Sequence, residues 1–319
     1  MRLVNYDHGQ GPRAGVVRGE VIVDVWEALG EQPPGVAAGL GGLVLMRGIG
    51  GVEEATAKGE PRFRLSDVKL HAPIRHPRKI ICLGLNYRQH AAEAGLDPPE
   101  TPTFFAKFQN ALAGPGDEVE LPSYTEKVDY EAEVAFFIAD DCKDVSEDDA
   151  IDHVLGYTLL NDLSARDYQF MTPQWMPGKV FDGSAPCGPA IVTPDEAGPH
   201  DGIEISLTLN GEEMQSASTA DLIHSIPAVV AYLSKLMTLQ AGDLISTGTP
   251  AGVGSVRQPH VWLKPGDECV IESPQLGRLE SSTWAGSSFP AGCDGRPARQ
   301  RSPPRRSPSR SASACRRRS

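Results

Sequence analysis

Short apolar runs broken by glycine and polar turns recur along the body of this chain, and most have the length of strands. RLVNY, AGVVRG and EVIVDVWEAL fill the first part. Pro33, Pro34 and the glycine-rich GLGGLVLMRGIGG then interrupt them. That run lacks the Lys-Ser/Thr ending and the strand-to-helix setting of a phosphate loop, so it predicts a loop and a short helix. From Lys79 to Glu280 the strand-like runs are KIICLGL, EVAFFI, EISLTLNG, DLISTGT and ECVIES. The helical candidates are YRQHAAEAGL, SEDDAIDHVL, TADLIHSI and PAVVAYLSKLM, too few and too unevenly placed for regular βαβ alternation. The pattern predicts an α+β protein dominated by mixed or antiparallel sheet. It divides into a small N-terminal β-rich domain over 1–70 and a larger domain over 71–285. From residue 286 the chain is Ser, Pro and Arg, a composition that predicts a disordered tail.

Charge sharpens this division. The 319 residues carry a net charge of −12, but nine of the 30 basic residues lie at or beyond Arg296, with no acid after Asp294. Residues 1–295 therefore hold 21 basic against 42 acidic residues, a net of −21. Such a body repels nucleic acid and anionic membranes, so neither is expected as a partner despite the arginine-rich tail. An anionic substrate then requires a local positive site. The start, MRLVNYDHGQ, has no basic segment followed by an apolar run, and no stretch reaches the roughly 18–20 apolar residues of a membrane helix. A cytoplasmic protein is expected. The six cysteines form no CxxC pair, which argues for reduced structural thiols rather than a zinc cluster.

Candidate chemistry begins at KVDYEAEVAFFI. Side chains alternate faces along a strand, so Glu131 and Glu133 share one face, about 6–7 Å apart along the backbone. A wet face is the commonest explanation of such a pair, but the AFFI that follows predicts burial on both faces. Buried like charges repel and resist desolvation, so either one carboxyl takes up a proton or a cation lies between them. Two hard oxygens suit Mg²⁺, Mn²⁺ or Ca²⁺ better than zinc. Asp162, at the end of the apolar run GYTLL, offers a third oxygen, or else caps the short helix that follows. Lys179, after a Pro-Gly turn in an aromatic setting, joins the site or lies on the surface. His90 and Glu93, three apart in a helix-forming stretch, share a face. They form either a surface pair or a general base oriented by a carboxylate.

Five segments in this order, KIICLGLNYRQHAAE, DYEAEVAF, GYTLLNDLSARDYQ, GKVFDGSAPCGP and DLISTGTPAGVG, resemble the fumarylacetoacetate hydrolase family over residues 69–280. The leading 70 residues look like the small first domain of its bacterial diene-dioate isomerase and decarboxylase branch. The resemblance implies a mixed β-sandwich or roll catalytic domain, a homodimer, and Mg²⁺ or Mn²⁺ in the cleft. It implies Glu131, Glu133 and Asp162 as metal ligands with Lys179 beside them, and His90–Glu93 as the dyad of members that hydrolyse or decarboxylate. It implies Arg166, Gln169 and Thr249 as substrate contacts. The expected reaction is hydrolysis of a C–C bond in an acylpyruvate, in aromatic or organic acid catabolism, through an enolate that a metal stabilises. The alternatives are isomerisation or decarboxylation of a 2-hydroxy-diene-dioate, decarboxylation of oxaloacetate, or a non-catalytic binding protein. Two departures stand out. Gln109 and Asn110 occupy positions where small hydroxyl residues are frequent, and the closing GRLESSTWAGSS keeps Gly277 and Leu279 but has Ser281 for asparagine before turning low-complexity.

Overall fold

A computed structural model describes residues 1–33, 37–93, 95 and 97–285; the arginine-rich segment from 286 lies outside the described residues. Met1–Gly286 form one compact unit. Its centre is the run AEVAFFI, a strand over Ala132–Ile138 in which every residue is buried. Val134, Phe136 and Ile138 join one apolar core, and Ala135 and Phe137 join another on the opposite face. A strand covered on both sides must be apolar throughout, which is why the alternation seen elsewhere vanishes here.

This strand pairs antiparallel with Val154–Asn161 on one side and with Leu244–Ser246 on the other. The mixed sheet continues outward from Leu244–Ser246 through the parallel strand Ile80–Gly84 to the edge strand Thr103–Lys107. In the other direction it passes through Ala185–Val192 to Arg2–Asp7, Arg13–Arg18, Val21–Asp24 and Phe63–Arg64. The first 70 residues thus contribute strands to the main sheet through the antiparallel pair Arg2–Asp7 and Ala185–Val192. A second sheet of five strands, Glu212–Ser218, Glu204–Leu209, Glu268–Ser273, Gly277–Ala285 and Glu118–Leu121, supplies Ile205, Leu207, Ile271 and Leu279 to the core that holds Phe136. Mixed sheets with few helices match the expected α+β architecture.

The helix Ile226–Leu236 forms where PAVVAYLSKLM predicts one. Ser225 caps it by accepting from the amide of Ala228, Pro227 occupies its first turn, and Val229, Val230 and Leu233 face the core. Two other predicted helices are overridden. SEDDAIDHVL yields only a short turn of 3₁₀ helix at Ala150–His153, because Val154 already pairs with Ile138 in the sheet. TADLIHSI is likewise reduced to Thr219–Asp221, because Ile223 donates its amide to the Asn86 carbonyl and the Asn86 side chain binds both the amide and the carbonyl of His224. YRQHAAEAGL gives a helix over Arg88–Glu93, and the glycine-rich run gives the short helix Leu40–Met46. Among the described residues no helix is long and apolar enough to cross a membrane.

The closing strand runs through Ser281 to Ala285, five residues beyond Glu280, and its last four residues pair parallel with Glu118–Leu121. Thr283, buried, donates its hydroxyl to the Lys264 carbonyl at 2.6 Å. Removing residues 281–319 should therefore lower the thermal midpoint by several degrees more than removing residues 286–319. Equal midpoints for the two truncated chains would show that this strand end contributes nothing.

Candidate active site

At its start the central strand meets the end of Val154–Asn161, and the backbone itself joins two of the acids: the Asp162 amide donates to the Glu131 carbonyl at 2.9 Å. The Asn161 side chain accepts from the Glu131 amide at 3.0 Å. Glu131, Glu133 and Asp162 are all buried, and their nearest carboxylate oxygens lie within 4.8 Å of one another. The two glutamates and the strand-end aspartate expected to converge do so.

Lys179 lies among them. Its Nζ is 2.6 Å from Glu131 Oε2 and 2.7 Å from Asp162 Oδ2, and the whole residue is 2% exposed. Arg166 stands on the other side of Glu131, with Nη2 2.7 Å from Oε1 and also 2.8 Å from Asp129 Oδ2, close ion pairs rather than aligned hydrogen bonds. Its Nε donates to Asp129 at 2.8 Å and its Nη1 to Gln169 Oε1 at 2.9 Å. Asp129 also accepts from the amides of Gly254 and Ser255. It is therefore the anchor that aims Arg166, a role distinct from the carboxylates it precedes in sequence.

Two groups of this cluster were not foreseen. Lys107, on the edge strand, is buried with Nζ 2.6 Å from Asp162 Oδ1 and 3.3 Å from the Leu163 carbonyl. The available signal was a charged residue between phenylalanines, FFAKF, within a strand-like run. Ser246, on the neighbouring strand, donates its hydroxyl to Glu133 Oε2. Four carboxylates therefore face three cations, rather than three carboxylates facing Lys179 alone.

This imbalance falls on Glu133. Burial, then the charges of Asp162 and Glu131, push its carboxyl well above the usual range, and Lys179 and the Ser246 hydroxyl offset this only in part. Burial acts on Glu131 in the same direction, but Arg166 and Lys179 outweigh it and hold that carboxyl well below the usual range. Burial disfavours the charged lysine, yet Asp162 and Glu131 hold Lys179 above its ordinary value. Burial and like charge thus favour a proton on Glu133 over the ionised carboxylate, the reverse of Glu131.

His90 Nδ1 lies 2.8 Å from Glu93 Oε1, and both Glu93 oxygens accept from the Gly252 amide at 3.1–3.2 Å. A proton on Nδ1, donated to Glu93, leaves Nε2 as the basic nitrogen. His90, Glu131, Glu133, Arg166, Gln169, Lys179 and Thr249 all line one cavity of about 170 Å³, and Asp162 reaches the group through Lys179. Thr249 donates to the Ala132 carbonyl and accepts from Gln215, which fixes it in the wall. Gln109 and Asn110 do not line this cavity. They bind the Pro77 carbonyl and the Val180–Asp182 turn, so their departure from the family pattern touches the scaffold.

The donor set fits a divalent ion. Hard oxygens at roughly 2.1–2.5 Å from Mg²⁺, Mn²⁺ or Ca²⁺ span the separation these three carboxylates show. Burial and the neighbouring carboxylates favour a proton on Glu133, and a divalent ion bound there would compete with it.

Comparison with known proteins places the chain in a family. The family model described as fumarylacetoacetate hydrolase, C-terminal, matches residues 79–283. A fumarylacetoacetate hydrolase domain-containing protein 2 homolog from Dictyostelium discoideum is 46% identical over 229 residues, 68% of this chain and 75% of that protein. A mitochondrial oxaloacetate tautomerase from Xenopus laevis is 42% identical over 218 residues, covering 68% of each chain. The crystal structure of maleylpyruvate hydrolase from Sphingobium sp. SYK-6, in complex with manganese and pyruvate, superposes with a TM-score of 0.75. It shows 33% identity and covers 90% of this chain and all of that one. The chain belongs to the fumarylacetoacetate hydrolase family, and it is an enzyme of that family.

Proposed function

We propose that this enzyme moves a proton at the carbon next to the 2-oxo group of a small 2-oxo acid, interconverting keto and enol forms as oxaloacetate tautomerisation requires. The observation that carries this reading is the oriented base His90–Glu93, opening on the same cavity as Lys179, Arg166 and the three carboxylates. Sequence likeness to a tautomerase supports the substrate class. The cavity, about 170 Å³, lies below the roughly 300–1,000 Å³ of sites for larger ligands, which suits a four- or five-carbon acid.

Glu131, Glu133 and Asp162 would hold the ion, Mg²⁺ or Mn²⁺. When bound it supplies Lewis acidity toward the oxygens of the substrate head. The remaining work belongs to the side chains. Lys179 spends two N–H groups on Glu131 and Asp162 and keeps a third for an anionic oxygen. Gln169 accepts from Arg166 with its carbonyl oxygen, which leaves its amide N–H groups to donate to the substrate carboxylate. His90 Nε2 takes the proton from carbon 3, the electron pair moves to the 2-oxygen, and the proton is returned there. Glu93 holds the imidazole in the required tautomer throughout. Once an ion displaces the Glu133 proton, four carboxylates, three cations and a divalent ion leave one net positive charge for an anionic substrate.

Hydrolysis of a 2,4-dioxo acid is the second reading. It is favoured because the same imidazole can take a proton from water, and because the maleylpyruvate hydrolase shares the fold. Both reactions pass through an enolate, and they differ in whether water or carbon surrenders the proton.

The decisive assay follows the enol absorbance of oxaloacetate with Mg²⁺-loaded protein, alongside pyruvate release from an acylpyruvate. Accelerated keto–enol exchange that is lost on chelation supports the first reading; pyruvate release without it replaces it with the second. Glu131→Ala should lose Mn²⁺ binding and activity together. His90→Ala should retain Mn²⁺ and lose about 10²–10⁴-fold in rate. Because a proton and an ion compete for Glu133, whose carboxyl is raised, Mn²⁺ affinity should fall as pH is lowered from 8 to 6. Calorimetry in buffers of different ionisation heat should register proton release on binding. No release at neutral pH would show that Glu133 is already ionised.

A further inference from the structure

One wall of the catalytic cavity is apolar, and a glycine governs its position. Gly84 ends the strand Ile80–Gly84 and pairs with Thr103 in ordinary extended register, outside the left-handed region that only glycine favours. Backbone conformation therefore does not require glycine there. Space does. A Cβ on Gly84 would lie 2.2 Å from Cζ3 and 2.8 Å from Cη2 of Trp175. The indole occupies the place of the missing side chain.

The other contacts of Trp175 tie it to the charged cluster through Phe105. Its ring stands edge-on to Phe105, with centroids 5.8 Å apart. The Phe105 ring in turn lies 4.8 Å from Lys179 Nζ. Phe105, Gly84, Trp175 and Lys179 all line the cavity, so the aromatic wall begins one ring away from the lysine that faces the carboxylates. The segment that carries the indole is held at both ends. Arg166–Gln169 is tied to Asp129 and Glu131 at one end. At the other, Gly178 packs so closely on Ala165 and Gln169 that a Cβ would lie 2.4–2.5 Å from their backbone atoms.

We infer that Trp175, seated on Gly84, is the specificity-determining residue that limits substrate length, confining the cavity to short 2-oxo acids. Its removal admits longer substituents beyond carbon 3. The inference rests on the proposed 2-oxo acid chemistry but is testable without it, because length selection applies to binding as well as to turnover. Selectivity of this kind is modest per methylene, roughly 10- to 200-fold, and accumulates along a chain.

The experiment compares pyruvate, 2-oxobutyrate, 2-oxohexanoate and phenylpyruvate as ligands of the Mn²⁺-loaded full chain by calorimetry, and as competitors in the oxaloacetate assay. Wild type should bind the short acids in preference to the long ones. Trp175→Ala should raise the ratio of long-acid to short-acid affinity at least tenfold. Gly84→Ala, which forces the indole to move, should shift the ratio by itself but have no further effect in the Trp175→Ala background, because its influence passes through that ring. Far-ultraviolet circular dichroism and Mn²⁺ affinity report whether each variant keeps the fold and the carboxylate site. An unchanged length ranking in a folded, Mn²⁺-binding Trp175→Ala protein overturns the inference. So does a Gly84→Ala effect that persists without the indole. Absence of keto–enol exchange together with an altered binding ranking would overturn the proposed reaction and leave the length limit standing.

Discussion

Four carboxylates and three cations meet inside the fold, and the rest of the site is arranged around keeping those charges compensated. Asp129, Glu131, Glu133 and Asp162 face Lys107, Arg166 and Lys179, all buried. A single buried charge of this kind costs several kcal/mol without a partner, and loss of one partner exposes the same penalty in the others. The cluster is therefore held together by mutual need. Its surplus of one carboxylate is left on Glu133, where burial and like charge favour a proton. With that carboxyl protonated the seven groups sum to neutral, and a divalent ion in the proton's place would leave one positive charge for the acids proposed as substrates, within a body that is otherwise strongly acidic.

The fold delivers these groups from distant parts of the chain. Glu131 immediately precedes the central strand and Glu133 lies on it, Asp162 immediately follows its antiparallel neighbour, Ser246 lies on the strand on the other side, and Lys107 comes from the edge. The backbone bond between Asp162 and Glu131 makes the convergence of two acids a property of the sheet. Because the paired side chains lie 17 to 113 residues apart in sequence, the site exists only once the sheet has closed. Rigid placement by strands is suited to chemistry that depends on angstrom-level positioning of a base and a cationic head.

Under the proposed chemistry, proton transfer and C–C hydrolysis both build charge on the same 2-oxygen, so one charged head would serve either reaction. Beside that head, Glu93 holds the His90 imidazole and is itself held by the Gly252 amide, and an indole fills the space left by a glycine.

Local periodicity makes part of this picture legible in the amino-acid order. Alternation put Glu131 and Glu133 on one face, the end of GYTLL marked Asp162, the i,i+3 spacing paired His90 with Glu93, and the caps of PAVVAYLSKLM set its helix. Tertiary structure decided what needed a partner from elsewhere. It made Lys107 a site residue, turned Asp129 into the anchor of Arg166, seated Trp175 on Gly84, and replaced two amphipathic helices with pairings to Ile138 and Asn86. The physical reason is one of range. A side chain's face and a helix's cap are fixed by neighbours within a few residues. The compensation of a buried charge and the filling of a void are fixed by whichever group the folded chain brings within a few ångströms.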